Sequence, residues 1–377
     1  MDNKMIFESS DSLSRGLYIH IPFCESKCRY CDFYSFNTDD KTKGDYTTAL
    51  IEELDKYKGY SISTLYLGGG TPSLLGVENL EKLLSAINEK FKGIKEATLE
   101  ANPADNLKEV FTIAKKGGIN RISLGVQSAN ENELKILGRR HNNSQVIKAI
   151  EDARAVGINN ISLDLMIGIP DQTEETLIKT LDFLTQLHPN HISGYMLSLE
   201  EGTPLFKNRE KYNIPSPDFA AALWEKAVDY LEDKGYFQYE ISNFSKKGYE
   251  SKHNLKYWNG QEYIGLGAAA HGFLNGFRYS YENNAQKFIE NPQPIIYDEG
   301  GSAEEYFMLK LRLKEGLDLS YFKENFSDSK EFIDALLKFS KKYKNGGFFT
   351  LENNIFSLTK KGFLVFNSIV SEILKDI

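Results

Sequence analysis

The chain has 377 residues, 41% hydrophobic and 26% charged, a balance that fits a folded protein of two or three average domains and excludes wholesale disorder. No run approaches the roughly 18 apolar residues of a membrane span, and the opening MDNKMIFESSDSLSRG lacks the apolar core of a secretory signal. A net charge of −8 excludes a dedicated nucleic-acid binder, so a cytoplasmic protein with no membrane span and no nucleic-acid partner is expected.

Six short apolar or β-branched runs recur along the first two-thirds, at 16–22, 63–67, 96–100, 121–126, 160–166 and 191–197. Amphipathic stretches such as 77–91 and 144–156 lie between them, with apolar residues at helical spacing. Strand and helix in alternation predict an α/β fold with a parallel sheet and crossover helices. Six units are too few for an eight-unit barrel. In barrels of this kind the active site lies at the C-terminal ends of the strands.

The first run leads into the three cysteines, Cys24, Cys28 and Cys31. An odd number cannot pair internally without a remainder, and thiols that merely fill a core are not gathered in one loop. The spacing C-x3-C-x2-C curls three thiolates around one point and suits a soft metal centre. Two centres fit: a zinc ion with three Cys and one His, for which His20 is nearest, or an iron–sulfur cube with one iron left open.

The second run ends in Gly68-Gly69-Gly70-Thr71-Pro72. Consecutive glycines either make a plain flexible loop or let the backbone approach a ligand closely. Glu100 ends the third run ahead of Asn102-Pro103, a turn that lifts its carboxylate to the barrel mouth. Gln127 follows the fourth run, and Arg139 lies one helix further on. Asp164 sits inside the fifth run, where an acid is costly unless an arginine pair or hydrogen bonds satisfy it.

These motifs resemble the radical S-adenosylmethionine (radical SAM) superfamily. Tyr30, ahead of the third cysteine, fits the same pattern. The resemblance runs over nearly the whole chain, through LYIHIPFC, GGGTP, LEANP, LGVQS and SLDLMIGIP. It points to the branch that holds oxygen-independent coproporphyrinogen III dehydrogenase and the heme chaperones related to it. An incomplete (β/α)6 barrel is implied, with a 4Fe-4S cluster on Cys24, Cys28 and Cys31. SAM on the open iron is implied too, contacted by Tyr18, Tyr30, Gly69, Gly70, Thr71, Glu100, Gln127, Arg139 and Asp164. An electron donor for the cluster follows as a partner.

Three departures separate this chain from the dehydrogenases of that branch and favour the chaperones. No fourth cysteine follows Cys31, which is succeeded by Asp32-Phe33, and few residues precede the first strand. The third departure is His253-Asn254-Leu255-Lys256-Tyr257-Trp258, an HNxxYW motif similar to that of the chaperones. In one reading His253 ligates heme iron, with Tyr257 and Trp258 as flat walls; His271 is the second candidate ligand. In the other, His253 and Asn254 bond loop backbone and Trp258 fills a domain interface. His141, after two arginines, is expected to be solvated, and His188 and His191 structural. The chaperone reading brings a heme-accepting protein as partner; the alternative is oxidative decarboxylation of coproporphyrinogen III.

The expected organisation is a barrel domain over 1–242, closed by a helix at 217–234 and a strand at 236–241. An irregular connection carrying HNxxYW spans 243–301, and a winged-helix-like domain occupies 302–377. In that last domain, helices begin at 303, 319 and 329, a hairpin turns at Asn353-Asn354, and a helix runs over 359–375. Acids and bases nearly balance there, so the expected role is structural or partner-binding.

Overall fold

The computed structural model describes residues 14–377; the segment ahead of the first strand lies largely outside them. All six expected strands form: β1 (Arg15–Ile21), β2 (Ile62–Gly69), β3 (Glu96–Ala101), β4 (Arg121–Gln127), β5 (Asn160–Ile167) and β6 (His191–Met196). Each pairs in parallel with the next, in chain order. Helices cross over between them on the outside. Helix Val77–Lys90 shows why, burying Leu80, Leu83, Leu84 and Ile87 on one stripe at helical spacing.

The inner face of this sheet is polar. Paired residues in a ladder point to the same side, and the register aligns Thr64 with Glu96, Thr98 with Arg121, Ser123 with Ser162, Asp164 with Ser193, and Ser162 with His191. The strands are therefore not apolar on both faces. Leucines, isoleucines and valines hold the helix side, while most alternate residues of β2 to β6, such as Thr64, Tyr66, Thr98, Glu100, Ser123, Ser162, Asp164 and Ser193, turn a hydrogen-bonding group inward.

Residues 243–301, expected to be irregular, instead build much of the sheet. After helix Pro217–Asp233 comes β7 (Phe237–Gln238), far shorter than the strand expected at 236–241. It turns back antiparallel into β8 (Asn243–Ser245), which caps the β6 edge. Helix Lys252–Trp258 follows, and then β9 (Tyr263–Leu266) returns to pair in parallel with β1 on its free side. The strands β10 (His271–Leu274), β11 (Phe277–Ser280) and β12 (Ile295–Glu299) continue outward antiparallel. The result is one 12-stranded sheet in the order β12-β11-β10-β9-β1-β2-β3-β4-β5-β6-β8-β7. These late strands have five residues or fewer, too short for a sequence period to show.

The C-terminal domain is winged-helix-like, as expected. Helices Ala303–Lys310, Leu319–Asn325 and Ser329–Lys342 enclose a core of their own with Phe307, Phe322, Leu336 and Phe356. Strands β14 (Phe349–Glu352) and β15 (Ile355–Leu358) form the wing, and both turn residues, Asn353 and Asn354, take the left-handed conformation of a tight hairpin. The strand β13 (Leu317–Asp318) adds a third member to this small sheet. The last helix is broken at Val365 into Lys360–Leu364 and Phe366–Leu374. The two domains are joined by backbone pairing of Tyr239–Ile241 with Arg312–Lys314.

Candidate cofactor site at the barrel mouth

The cysteine loop leaves the C-terminal end of β1 and is fastened to the loop after β2. The amides of Gly70 and Thr71 donate to the carbonyls of Ile21 and Phe23 at 2.9 and 2.8 Å, and Thr71 Oγ1 lies 3.4 Å from Cys24 Sγ. A Cβ on Gly70 would sit 2.8 Å from the Phe23 carbonyl oxygen, so only glycine permits this approach. Gly69 has a φ of 112°, and a side chain there would run into the His20 ring. The glycine run is thus a close-packed clasp between two loops, not a flexible linker.

Glu100 stands at the end of β3, where its carboxylate accepts the Tyr66 hydroxyl and the Gly69 amide. Burial raises its pKa. Asp164 accepts from Ser123 Oγ at 3.1 Å, and burial, aided by the Glu100 charge, pushes it up to about 7. Among the described residues no arginine forms an ion pair with it. Tyr18 shares a hydrogen bond of 3.0 Å with His20 Nδ1. Tyr30 packs on Leu137, Met166 and Ile169.

Gln127 and Arg139 carry the clearest sign of an absent ligand. Gln127 adopts a φ of 67°, costly for a residue with a Cβ, and its buried Oε1 has no hydrogen-bond partner. Arg139 donates to the Gly125 carbonyl and to Cys28 Sγ, yet its buried Nε is unpaired. A buried acceptor and a buried donor, both open beside the cysteine loop, fit an added molecule bearing groups of both kinds.

The cysteines fit a cluster better than a single ion. His20, the nearest candidate for a fourth zinc ligand, has both ring nitrogens engaged, by the Tyr18 hydroxyl and the Tyr34 carbonyl. No three His, Cys, Asp or Glu side chains converge as on one ion among the described residues; a cube holds its thiolates further apart. Burial pushes the Cys31 thiol up to about 11, so iron binding there must release a proton.

The HNxxYW residues lie elsewhere. His253 is 1% exposed at the opposite end of the barrel, against Gly16. Its Nδ1 pairs with Thr64 Oγ1 at 2.8 Å and its Nε2 with the Tyr257 hydroxyl at 2.7 Å. Burial lowers its pKa to about 3. The Glu96 carboxylate receives the amides of Lys252 and His253 at the start of their helix. Tyr257 packs on Tyr263, and Trp258 lies beneath the Arg312 guanidinium of the C-terminal domain. With both imidazole nitrogens engaged, His253 offers no free ligand atom to iron, and with the half-buried Tyr257 and Trp258 it forms a bracket under the barrel. His141 is a second correction: it is 4% exposed and bonds the Val126 carbonyl.

Sequence reading missed Tyr66, Ser123 and the partnership of His20 with Tyr18. The signal was present as alternation: Thr64, Tyr66 on β2 and Arg121, Ser123 on β4 are polar at every second position.

A partial barrel carrying three cysteines after β1 and a glycine clasp after β2 defines the radical SAM class, and the model of the radical SAM superfamily matches residues 18–184. A heme chaperone HemW from Lactococcus lactis is 35% identical over 375 residues, spanning 95% of this chain and 97% of its own. The heme chaperone HemW of Escherichia coli is 39% identical over 264 residues, 68% of this chain and 69% of its own. The chain belongs to the HemW family. Residues 302–365 match the HemN C-terminal domain. The solved coproporphyrinogen III oxidase HemN of Escherichia coli shares the fold, with a TM-score of 0.81 over 96% of this chain and 90% of its own at 20% identity.

Proposed function

We propose that this protein is a heme chaperone: it binds heme beside a SAM-ligated 4Fe-4S cluster and passes the heme to an acceptor protein in the cytoplasm. The observation that carries the reading is the end-to-end identity with proteins named heme chaperones, 35% over 95% of the chain. Two features of the chain agree: Cys31 is followed by Asp32 and Phe33 with no fourth cysteine, and no helix among the described residues is long and apolar enough to cross a membrane.

In this reading Cys24, Cys28 and Cys31 would hold the cluster, and the iron left without a thiolate would supply the place for SAM. Gly69, Gly70 and Thr71 line the approach for the methionine end. Gln127 and Arg139 supply the unpaired acceptor and donor, and Glu100 and Asp164 supply carboxylates for the remaining polar groups. Tyr18 and Tyr30 wall the site. An electron donor serves the cluster. The test is anaerobic reconstitution followed by two separate assays, retention of added heme and decarboxylation of coproporphyrinogen III. Retention without decarboxylation supports the chaperone. Decarboxylation without retention replaces it with the dehydrogenase.

A further inference from the structure

Resting on the chaperone reading, the site of heme itself can be taken further. A histidine that ligates heme iron needs one ring nitrogen free, and three of the six histidines offer none. His20, His191 and His253 have both ring nitrogens hydrogen-bonded. His141 has Nε2 on the Val126 carbonyl and Nδ1 unpaired, but the ring is 4% exposed and that free nitrogen is buried, out of reach of a porphyrin. His188 is exposed, but it lies in the turn before β6, at the end of the barrel away from the cysteines.

His271 differs from all of these. It is the first residue of β10, at the cysteine end of the barrel, and it is exposed. Its Nδ1 pairs with the Tyr297 hydroxyl at 3.3 Å, while Nε2 makes no hydrogen bond among the described residues. A ligand histidine is held in this way, one nitrogen anchored so that the other points at the metal.

The register shows which way His271 faces. Tyr18 aligns with Gly265, and Tyr263 of the same strand aligns with Phe273. His271 lies two residues before Phe273 and aligns with Ser280, which aligns with Ile295. Paired residues share a face, so His271 and Ile295 lie on the same inner surface as Tyr18. Burial lowers the His20 pKa to about 4, and His271 is near enough to add a smaller part of that lowering. Around the imidazole this surface is apolar and uncovered: Ile295 is 48% and Tyr297 53% exposed. Across the mouth, Tyr195 near the end of β6, on the inner face with His191 and Ser193, is 43% exposed. Such residues need a cover, and a porphyrin plane is a flat apolar one.

We infer that His271 is the axial ligand of the bound heme, with Nε2 on the iron, Tyr297 fixing the ring and Ile295 against the porphyrin. Heme would then lie on the same wall as the SAM site, at the barrel mouth and not under the barrel.

The test is a hemin titration of the cluster-reconstituted protein, followed by absorbance, with iron and SAM content measured on each variant. His271→Ala should lose more than about tenfold in hemin affinity, the lower end of what even an outer partner of a metal ligand contributes. His271→Met should regain binding with a displaced Soret band, and Tyr297→Phe should weaken it less. His188→Ala should match the parent. If the parent binds hemin and His271→Ala has the same affinity and Soret band, the assignment fails and the chaperone reading stands. If the parent does not bind hemin, the chaperone reading fails and the assignment with it.

Discussion

Tyr66 donates its hydroxyl to Glu100 Oε1 at 2.7 Å, from β2 to the neighbouring β3. The other carboxylate oxygen takes the Gly69 amide at 3.2 Å, so a tyrosine from inside the barrel sets the acid that positions the glycine clasp. Replacing Glu100 with Ala should free that clasp and cost SAM binding about 1.5–3 kcal/mol, the value of a hydrogen bond to a charged group. Cluster iron should be unchanged, because only the Gly69 end of the clasp is released while the Gly70 and Thr71 amides keep their bonds to Ile21 and Phe23. Calorimetric SAM titration with parallel iron assay tests both. Equal affinity would place Glu100 in the structural network alone.

Each cysteine should be indispensable to the cluster, because serine and alanine lack the charge and covalency of thiolate toward iron. Cys28→Ala should lose the cluster absorption and most of the iron after anaerobic reconstitution. Full iron content with an unchanged spectrum would refute the cluster assignment.

His253→Ala should act on stability. It strands the Thr64 hydroxyl and the Tyr257 hydroxyl, two buried groups worth about 2–4 kcal/mol together. The unfolding free energy from urea denaturation should fall by that amount, while the heme spectrum of the folded variant stays as in the parent. A changed heme spectrum at unchanged stability would return His253 to the heme site.

A pH dependence arises where the domains join. Glu240 is fully buried, its carboxylate oxygens make no well-formed hydrogen bond, and burial raises its pKa from 4.5 to about 7 against the smaller pulls of the nearby Ser242 amide, the Asn243 side chain and Arg312. The folded protein holds this proton more tightly than the unfolded chain. The stability it contributes is therefore complete below about pH 4.5 and is lost as pH rises through about 7. Glu240→Gln should remove that slope and exceed the parent at pH 8 by up to about 3 kcal/mol. Urea unfolding at pH 5 and pH 8 measures it; identical slopes in both proteins would mean the carboxylate is satisfied.

The six strands and the cysteine and glycine loops were legible because each signal is local. Strands such as Asn160–Ile167 are long enough to show their apolar half, and C-x3-C-x2-C needs no partner elsewhere to be read. The return of β9 to β1 was hidden, since four residues, Tyr263–Leu266, show no period and their pairing depends on residues at the far end of the domain. His253 misled for a related reason. An imidazole beside two aromatics reads the same whether its nitrogens are free or taken, and Thr64, the group that takes one, lies 189 positions away. The exposure of His271 follows from its place at the end of β10, at the barrel mouth, in a strand that no local pattern announces.

The placement of β9 beside β1 also orders events during synthesis. When the ribosome has completed all six repeats, β1 still has one bare edge, with unpaired backbone groups between Leu17 and Ile19. An unpaired strand edge of this kind invites a second nascent chain. The edge closes when the chain as far as Leu266 has emerged and Tyr46 has bridged the His20 carbonyl to the Ala268 amide. That closure also fixes the strand from which the cysteine loop departs. A chain stopped short of the last parallel strand should therefore aggregate through that edge.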